Sequence, residues 1–160
     1  MNRDALIRSL ALAPDILEGF LALLDDGALD RDRGSGLWTI REHLVHLAEV
    51  QPMLHGRIET FRDRTRPTMV PHDPAEEDRE ARVGAGADAA LDRFRTWRER
   101  QVELLDSLDE AVWAKEGDHP EYARYSLDIL ASHIHFHDGF HLYRMEETAW
   151  VTDGNLTVLP

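Results

Sequence analysis

Three histidines, His133, His137 and His141, recur every four residues in the segment from Ser126 to Met145, and His46 stands far upstream in a second helical segment. At ~100° per residue a four-residue spacing drifts slowly along one helical face. Leu127, Leu130, Ile134 and Met145 share that wide sector, so the imidazoles lie in an apolar stripe. Removing an imidazole from water without a partner costs roughly 2 kcal/mol or more. A divalent cation shared by His46, His137 and His141 would compensate that cost, since neutral imidazole is a good ligand. The alternative is three core histidines satisfied by backbone or carboxylate partners. His135 falls about 160° from His137 by the same rotation and reads as a surface residue.

Three imidazoles on one divalent ion leave at least one coordination position open, the arrangement of a catalytic rather than a closed structural site. A water bound there is acidified, and a neighbouring carboxylate could carry its proton. Glu49 is the first candidate for that role and Glu42 the second, since both share a helical flank with His46 and Met53. Each could equally hydrogen-bond a ligand ring or sit on a solvated helix face. His133 could be a further ligand, line a cavity or pack, and packing is favoured for it and for His43. Nothing in the pattern marks His55 or His119. His72 lies in a long loop from which it could approach the site. Donor types alone leave the metal open, with zinc or nickel foremost and iron or copper as further candidates.

The elements that would position these groups are helical. Four periodic blocks emerge, and strand-like alternation is scarce. The first runs from roughly 2 to 25 on Leu6, Leu10, Ile16, Leu17, Phe20, Leu21 and Leu24, with Pro14 expected to kink it or to start its second half. The second, about 40 to 64, opens at Trp38-Thr39 with Thr39 as N-cap and repeats His43, Leu47, Val50 and Leu54. A segment from about 65 to 87 with Pro67, Pro71, Pro74, Gly84 and Gly86 reads as a loop that could act as a lid. The third helix, about 88 to 108, shows an imperfect period through Ala90, Leu91, Phe94, Trp97, Val102, Leu104 and Leu105. Residues 109 to 125 are irregular, and Ser126 can cap the histidine-bearing fourth helix. The expected fold is all-α: one four-helix-bundle domain over residues 1–160, with a long connection between the second and third helices. Helix two then supplies one imidazole and helix four supplies two.

Composition bounds what such a site can serve. With 160 residues, 42% hydrophobic and 31% charged, the chain suits one globular domain. Its net charge of −13, from 31 acidic against 18 basic residues, argues against nucleic-acid binding. The cluster Arg57, Arg62, Arg64 and Arg66 reads as a solvated helix end. Cysteine is absent, so histidine and carboxylate must do any metal work. No segment approaches the ~20 apolar residues of a membrane span or forms a signal-peptide core, and a cytoplasmic location is expected. Asp138-x-x-His141 matches half of a di-iron motif, but no complementary set accompanies it. Gly84-Ala85-Gly86-Ala87 follows no strand and gives no sign of dinucleotide binding.

Two stretches resemble the DinB/YfiT-like family of metal-binding four-helix bundles, and the resemblance covers nearly the whole chain. Trp38-Thr39-Ile40-Arg41-Glu42-His43-Leu44-Val45-His46-Leu47 is similar to the family's opening of helix two, with a ligand histidine followed by leucine eight residues after the tryptophan. His119-Pro120-Glu121-Tyr122, through Ser126-Leu127, to His137-Asp138-Gly139-Phe140-His141-Leu142 resembles its closing helix with a His-x-x-x-His pair. By position the resemblance makes His46, His137 and His141 the ligands. The family commonly has glutamine three residues beyond the last ligand. Arg144 stands there in this chain, a departure that bears on substrate or thiol recognition rather than on the metal.

The resemblance implies a divalent-metal-dependent enzyme acting on a small molecule, either a hydrolase or a transferase of a low-molecular-weight thiol, and a homodimer. The rival reading is a non-catalytic metal- or ligand-binding bundle in stress response, since fold alone does not establish catalysis. A purely structural dimerising bundle is a third.

Overall fold

The computed structural model describes residues 2–34, 36–71 and 86–156. Helix α1 spans Arg3–Leu21 and starts where the Asn2 side chain accepts from the Ala5 N–H at 3.0 Å. Leu6, Leu10, Pro14, Leu17 and Phe20 form its buried stripe. The helix runs through Pro14 rather than restarting there. The apolar ring lies on the stripe that faces the core, so burial opposes the loss of one backbone bond.

Thr39 begins α2, Ile40–Glu49, with a reciprocal capping box: its hydroxyl accepts from Glu42 N–H while the Glu42 carboxylate accepts from Thr39 N–H at 2.8 Å. The single second helix expected from the period divides at Val50, and α3 follows over Gln51–Asp63. Pro52 explains the division, because it has no N–H to continue the ladder. Beside the break the Gln51 side chain donates to the Leu47 carbonyl at 2.7 Å.

Helix α4, Ala87–Ser107, buries Ala90, Phe94, Arg98, Gln101 and Leu105. Two polar residues on the inward stripe explain why its apolar period looks imperfect. A short α5, Glu110–Trp113, drives Trp113 into the core. The two-residue strands β1, Glu116–Gly117, and β2, Tyr125–Ser126, then pair antiparallel. This ribbon is pinned to the chain after α3: Met69 N–H donates to Asp118 O, and Asp118 N–H to Pro67 O, both at 2.8 Å. Gly117 is needed at that crossing, since a Cβ there would lie 2.8 Å from the Pro67 carbonyl oxygen. Ser126 caps the last long helix, α6, Leu127–Trp150, accepting from Ile129 N–H at 3.3 Å.

The architecture is an all-α four-helix bundle of α1, α2–α3, α4 and α6. Helix α4 packs on α1, α2 and α3, while α6 packs on α1 and α2. The apolar interior forms two clusters, one around Leu10, Ile58, Leu105 and Leu130 and the other around Leu17, Leu44, Phe94 and Met145. Along α4 and α6 the residues between those clusters include Arg98, Gln101, Asp138 and His141, all buried. The bundle therefore carries a polar layer at mid-height. Arg31 and Arg33 donate to the Ala149 and Thr148 carbonyls near the end of α6, which ties down the loop that leads into α2.

Candidate metal centre and adjoining cavity

The bundle brings His46, His137 and His141 together. His46 lies on α2, His137 and His141 lie one turn apart on α6, and the ligand atoms of all three lie within 4.8 Å of one another. His46 Nε2 is 3.2 Å from His137 Nε2, and His137 Nε2 is 3.2 Å from His141 Nε2. Two nitrogens at ~2.0–2.1 Å from a tetrahedral ion stand about 3.3 Å apart, so the spacing suits a shared cation. His46 and His141 are almost fully buried. The His141 imidazolium is strongly disfavoured, first by burial and then by the charges of His137, His46 and His43. His141 is thus held as a neutral nitrogen donor, the protonation state that metal binding requires.

Two further rings complete this end of the site. His43, one turn before His46, sets its Nδ1 2.8 Å from His141 Nδ1. Trp38 lies against His43 and His46, with ring centroids 5.2 Å away in each case, and stacks on His141 at 5.9 Å. Sequence alone favours packing for His43, and the packing partners of both rings are the clustered histidines themselves. Of the two carboxylates expected nearby, Glu42 is fully buried with its carboxylate in the capping box, and Glu49 is exposed.

Behind α6 the polar layer continues. Arg98 donates to both Asp138 carboxylate oxygens, at 2.6 and 3.1 Å, and to Gln51 Oε1 at 3.2 Å. Burial pushes the Asp138 carboxyl above the usual carboxylate range, and Arg98 opposes the rise. Because Asp138 follows His137 directly, this network fixes the turn of α6 that carries two of the three clustered imidazoles. Arg144 bonds the buried Glu147 carboxylate, which also accepts from the Tyr143 hydroxyl at 3.0 Å.

A cavity of about 220 Å³ opens beside the trio, with His46 and His137 in its wall. Its other sides come from α3, through Met53 and Arg57, and from the irregular segment and α6, through His119, Tyr122, Tyr125 and His133. His119, which carries no periodic or spacing signal, is buried and takes part in this wall. His133 lines the cavity with its Nδ1 3.3 Å from the Tyr122 hydroxyl. Burial lowers the pKa of both histidines, and the Arg57 charge adds to the effect in each. Burial raises that of the Tyr125 phenol. Arg57 therefore belongs to the cavity rather than to a solvated helix end, whereas Arg62 pairs with Asp63 and Arg66 with Asp118. His55 packs on Trp97, and His135 is half-buried with its Nδ1 3.3 Å from the Ser9 hydroxyl. His72 and most of the connection expected to form a lid lie outside the described residues.

The model of the DinB superfamily matches residues 9–145, a stretch that contains the whole trio and the cavity wall. The chain belongs to the DinB superfamily. Within the solved structures this DinB-superfamily chain is similar to YfiT from Bacillus subtilis, described as a probable metal-dependent hydrolase with an unusual four-helix bundle topology. The TM-score is 0.81 at 22% identity, over 91% of this chain and 85% of that one, which is a likeness of fold. No curated protein matches the chain. Among the described residues no helix of this DinB-superfamily chain is long and apolar enough to cross a membrane.

Proposed function

We propose that this DinB-superfamily protein is a metal-dependent enzyme, with a divalent cation held by the Nε2 atoms of His46, His137 and His141 and a small-molecule substrate in the adjoining cavity. The observation that carries the reading is the convergence of three imidazole nitrogens, two of them on buried histidines, at 3.2 Å spacings beside that cavity. A bound zinc or nickel ion would supply Lewis acidity to an oxygen or sulfur of the reactants.

The chain's own residues divide the remaining work. His43 orients His141 through their Nδ1 contact, and Trp38 covers the trio on the α2 side. His133, kept neutral by burial, is the cavity residue we assign to take up a proton. Glu42 stabilises the start of the helix that carries His46, and exposed Glu49 receives no role in proton transfer. Hydrolysis is the favoured reaction, in line with what is said of YfiT. Transfer of a low-molecular-weight thiol uses the same centre, and substrate assays separate the two. A homodimer is supported by exposed Phe136, Phe140 and Tyr143, which share one face of α6.

Elemental analysis of the purified protein, followed by ester, amide and thiol-transfer assays, tests the reading. About one divalent ion per chain, with turnover lost on chelation, is the expected result. Protein free of metal, with no thermal stabilisation by added zinc or nickel, would defeat it. One ion per chain without turnover on any of these substrates would favour a non-catalytic binding bundle.

A further inference from the structure

Arg57 lies in the wall of the cavity beside the trio, and among the described residues no carboxylate lies within ion-pair distance of its guanidinium. One of its N–H groups donates to the Val70 carbonyl at 2.6 Å, which fixes the side chain without neutralising it. A guanidinium has five N–H donors in a planar fork, more than this backbone oxygen and the side-chain hydrogen bond with the Tyr125 phenol use. The single carboxylate among the described lining residues, Glu121, is exposed.

The groups around Arg57 favour the same kind of guest. His119 Nδ1 accepts from the Glu121 backbone N–H at 3.3 Å, which leaves the proton of the neutral ring on Nε2 as a donor. Tyr122 and Tyr125 bring phenol hydroxyls and ring faces into the wall, packed on His119 at 4.8 and 4.9 Å between centroids. The lining therefore combines one fixed cation with neutral donors and aromatic surface.

We propose that the cavity binds a small organic anion, with its carboxylate or phosphate on Arg57 and its reacting group toward His46 and His137. The assignment rests on the reading of the trio as a metal centre for the position of the reacting group. The anion site itself depends only on Arg57 and the cavity. Arg57 would bind substrate directly, and it would discriminate charged from neutral molecules of the same shape.

The test compares two thiols of equal chain length on cobalt(II)-loaded protein, 3-mercaptopropionate and 1-propanethiol, read through thiolate-to-cobalt absorption. Wild-type protein is expected to bind the carboxylate-bearing thiol about tenfold more tightly, the effect of one charge-assisted contact. Arg57→Gln should abolish the preference and leave propanethiol binding within about twofold, and Arg57→Lys should restore part of it. Equal affinities in the wild type, or a preference that survives Arg57→Gln, would overturn the proposal. Failure of cobalt to bind would bring down the metal reading alone. The anion site is then read by titrating metal-free wild-type protein with benzoate and with benzamide, where benzoate binding no better than benzamide overturns it.

Discussion

His43 Nδ1 stands 2.8 Å from His141 Nδ1, so one ring must donate to the other. With His141 Nε2 committed to a cation, its proton must sit on Nδ1 and point at His43, which accepts as the Nε2–H tautomer. Second partners of this kind typically contribute 10–100-fold in metal affinity. His43→Ala should weaken zinc binding by about that factor in chelator competition, with His43→Gln milder because its carbonyl can still accept. Unchanged affinity in His43→Ala would show that the contact has no influence on the ligand.

Removing a ligand should uncouple stability from metal. Saturating zinc at ~1,000 times its Kd stabilises a folded protein by about 4 kcal/mol, seen as a rise in Tm. That rise should vanish in His141→Ala and His46→Ala while the metal-free variants still fold. If either variant keeps the full zinc-induced shift, the trio is not the binding site.

The buried pair Arg98–Asp138 makes an asymmetric expectation. Truncating one member, as in Asp138→Leu, strands a buried guanidinium and should cost about 3–5 kcal/mol in urea unfolding. Replacing both, with Arg98→Met and Asp138→Leu, should recover most of that loss. Additive losses in the double variant would mean that the two side chains contribute independently.

Acid should destabilise the metal-free protein in a defined window. Folding lowers the pKa of His119, His133 and His141 below the unfolded value of about 6.5. Below that value the unfolded chain takes up protons that the folded chain refuses, so the stability present above it declines as pH falls. His141 alone, almost fully buried, should contribute a slope approaching ~1.4 kcal/mol per pH unit. Urea midpoints that stay flat between about pH 7 and pH 5 would contradict this.

Self-association should involve the exposed face of α6. Phe136, Phe140 and Tyr143 fall on one side of the helix, and all are exposed. Sedimentation velocity should show a dimer that Phe140→Glu converts to monomer. A wild-type monomer at all concentrations, or a dimer indifferent to this change, would place the contact elsewhere or remove it.

Local pattern made the bundle and the trio's convergence legible, because the i, i+4 pair His137 and His141 and the Thr39-x-x-Glu42 capping box are both short-range signals. The cavity wall was hidden because His119 and Tyr125 reach Arg57 only when residues 116–126 fold back on the chain after α3. That return depends on the Pro67–Asp118 and Met69–Asp118 backbone bonds, which leave no periodic trace. Arg98 and Gln101 were obscured for a different reason: polar residues on an inward stripe look like a faulty amphipathic period until Asp138 and Gln51 are seen opposite them. The division at Val50 had a visible cause in Pro52, but proline in the first turn of a helix also occurs without any interruption of what precedes it.

Gly117 makes the cavity vulnerable from a distance. Any side chain there would press on the Pro67 carbonyl and the Phe61 ring, 2.8 and 3.1 Å from its first carbon. The strand would have to lift, and His119, two residues on, would travel with it. A Gly117→Ala lesion would thus masquerade as a defect in substrate capture, although the methyl group never meets the guest.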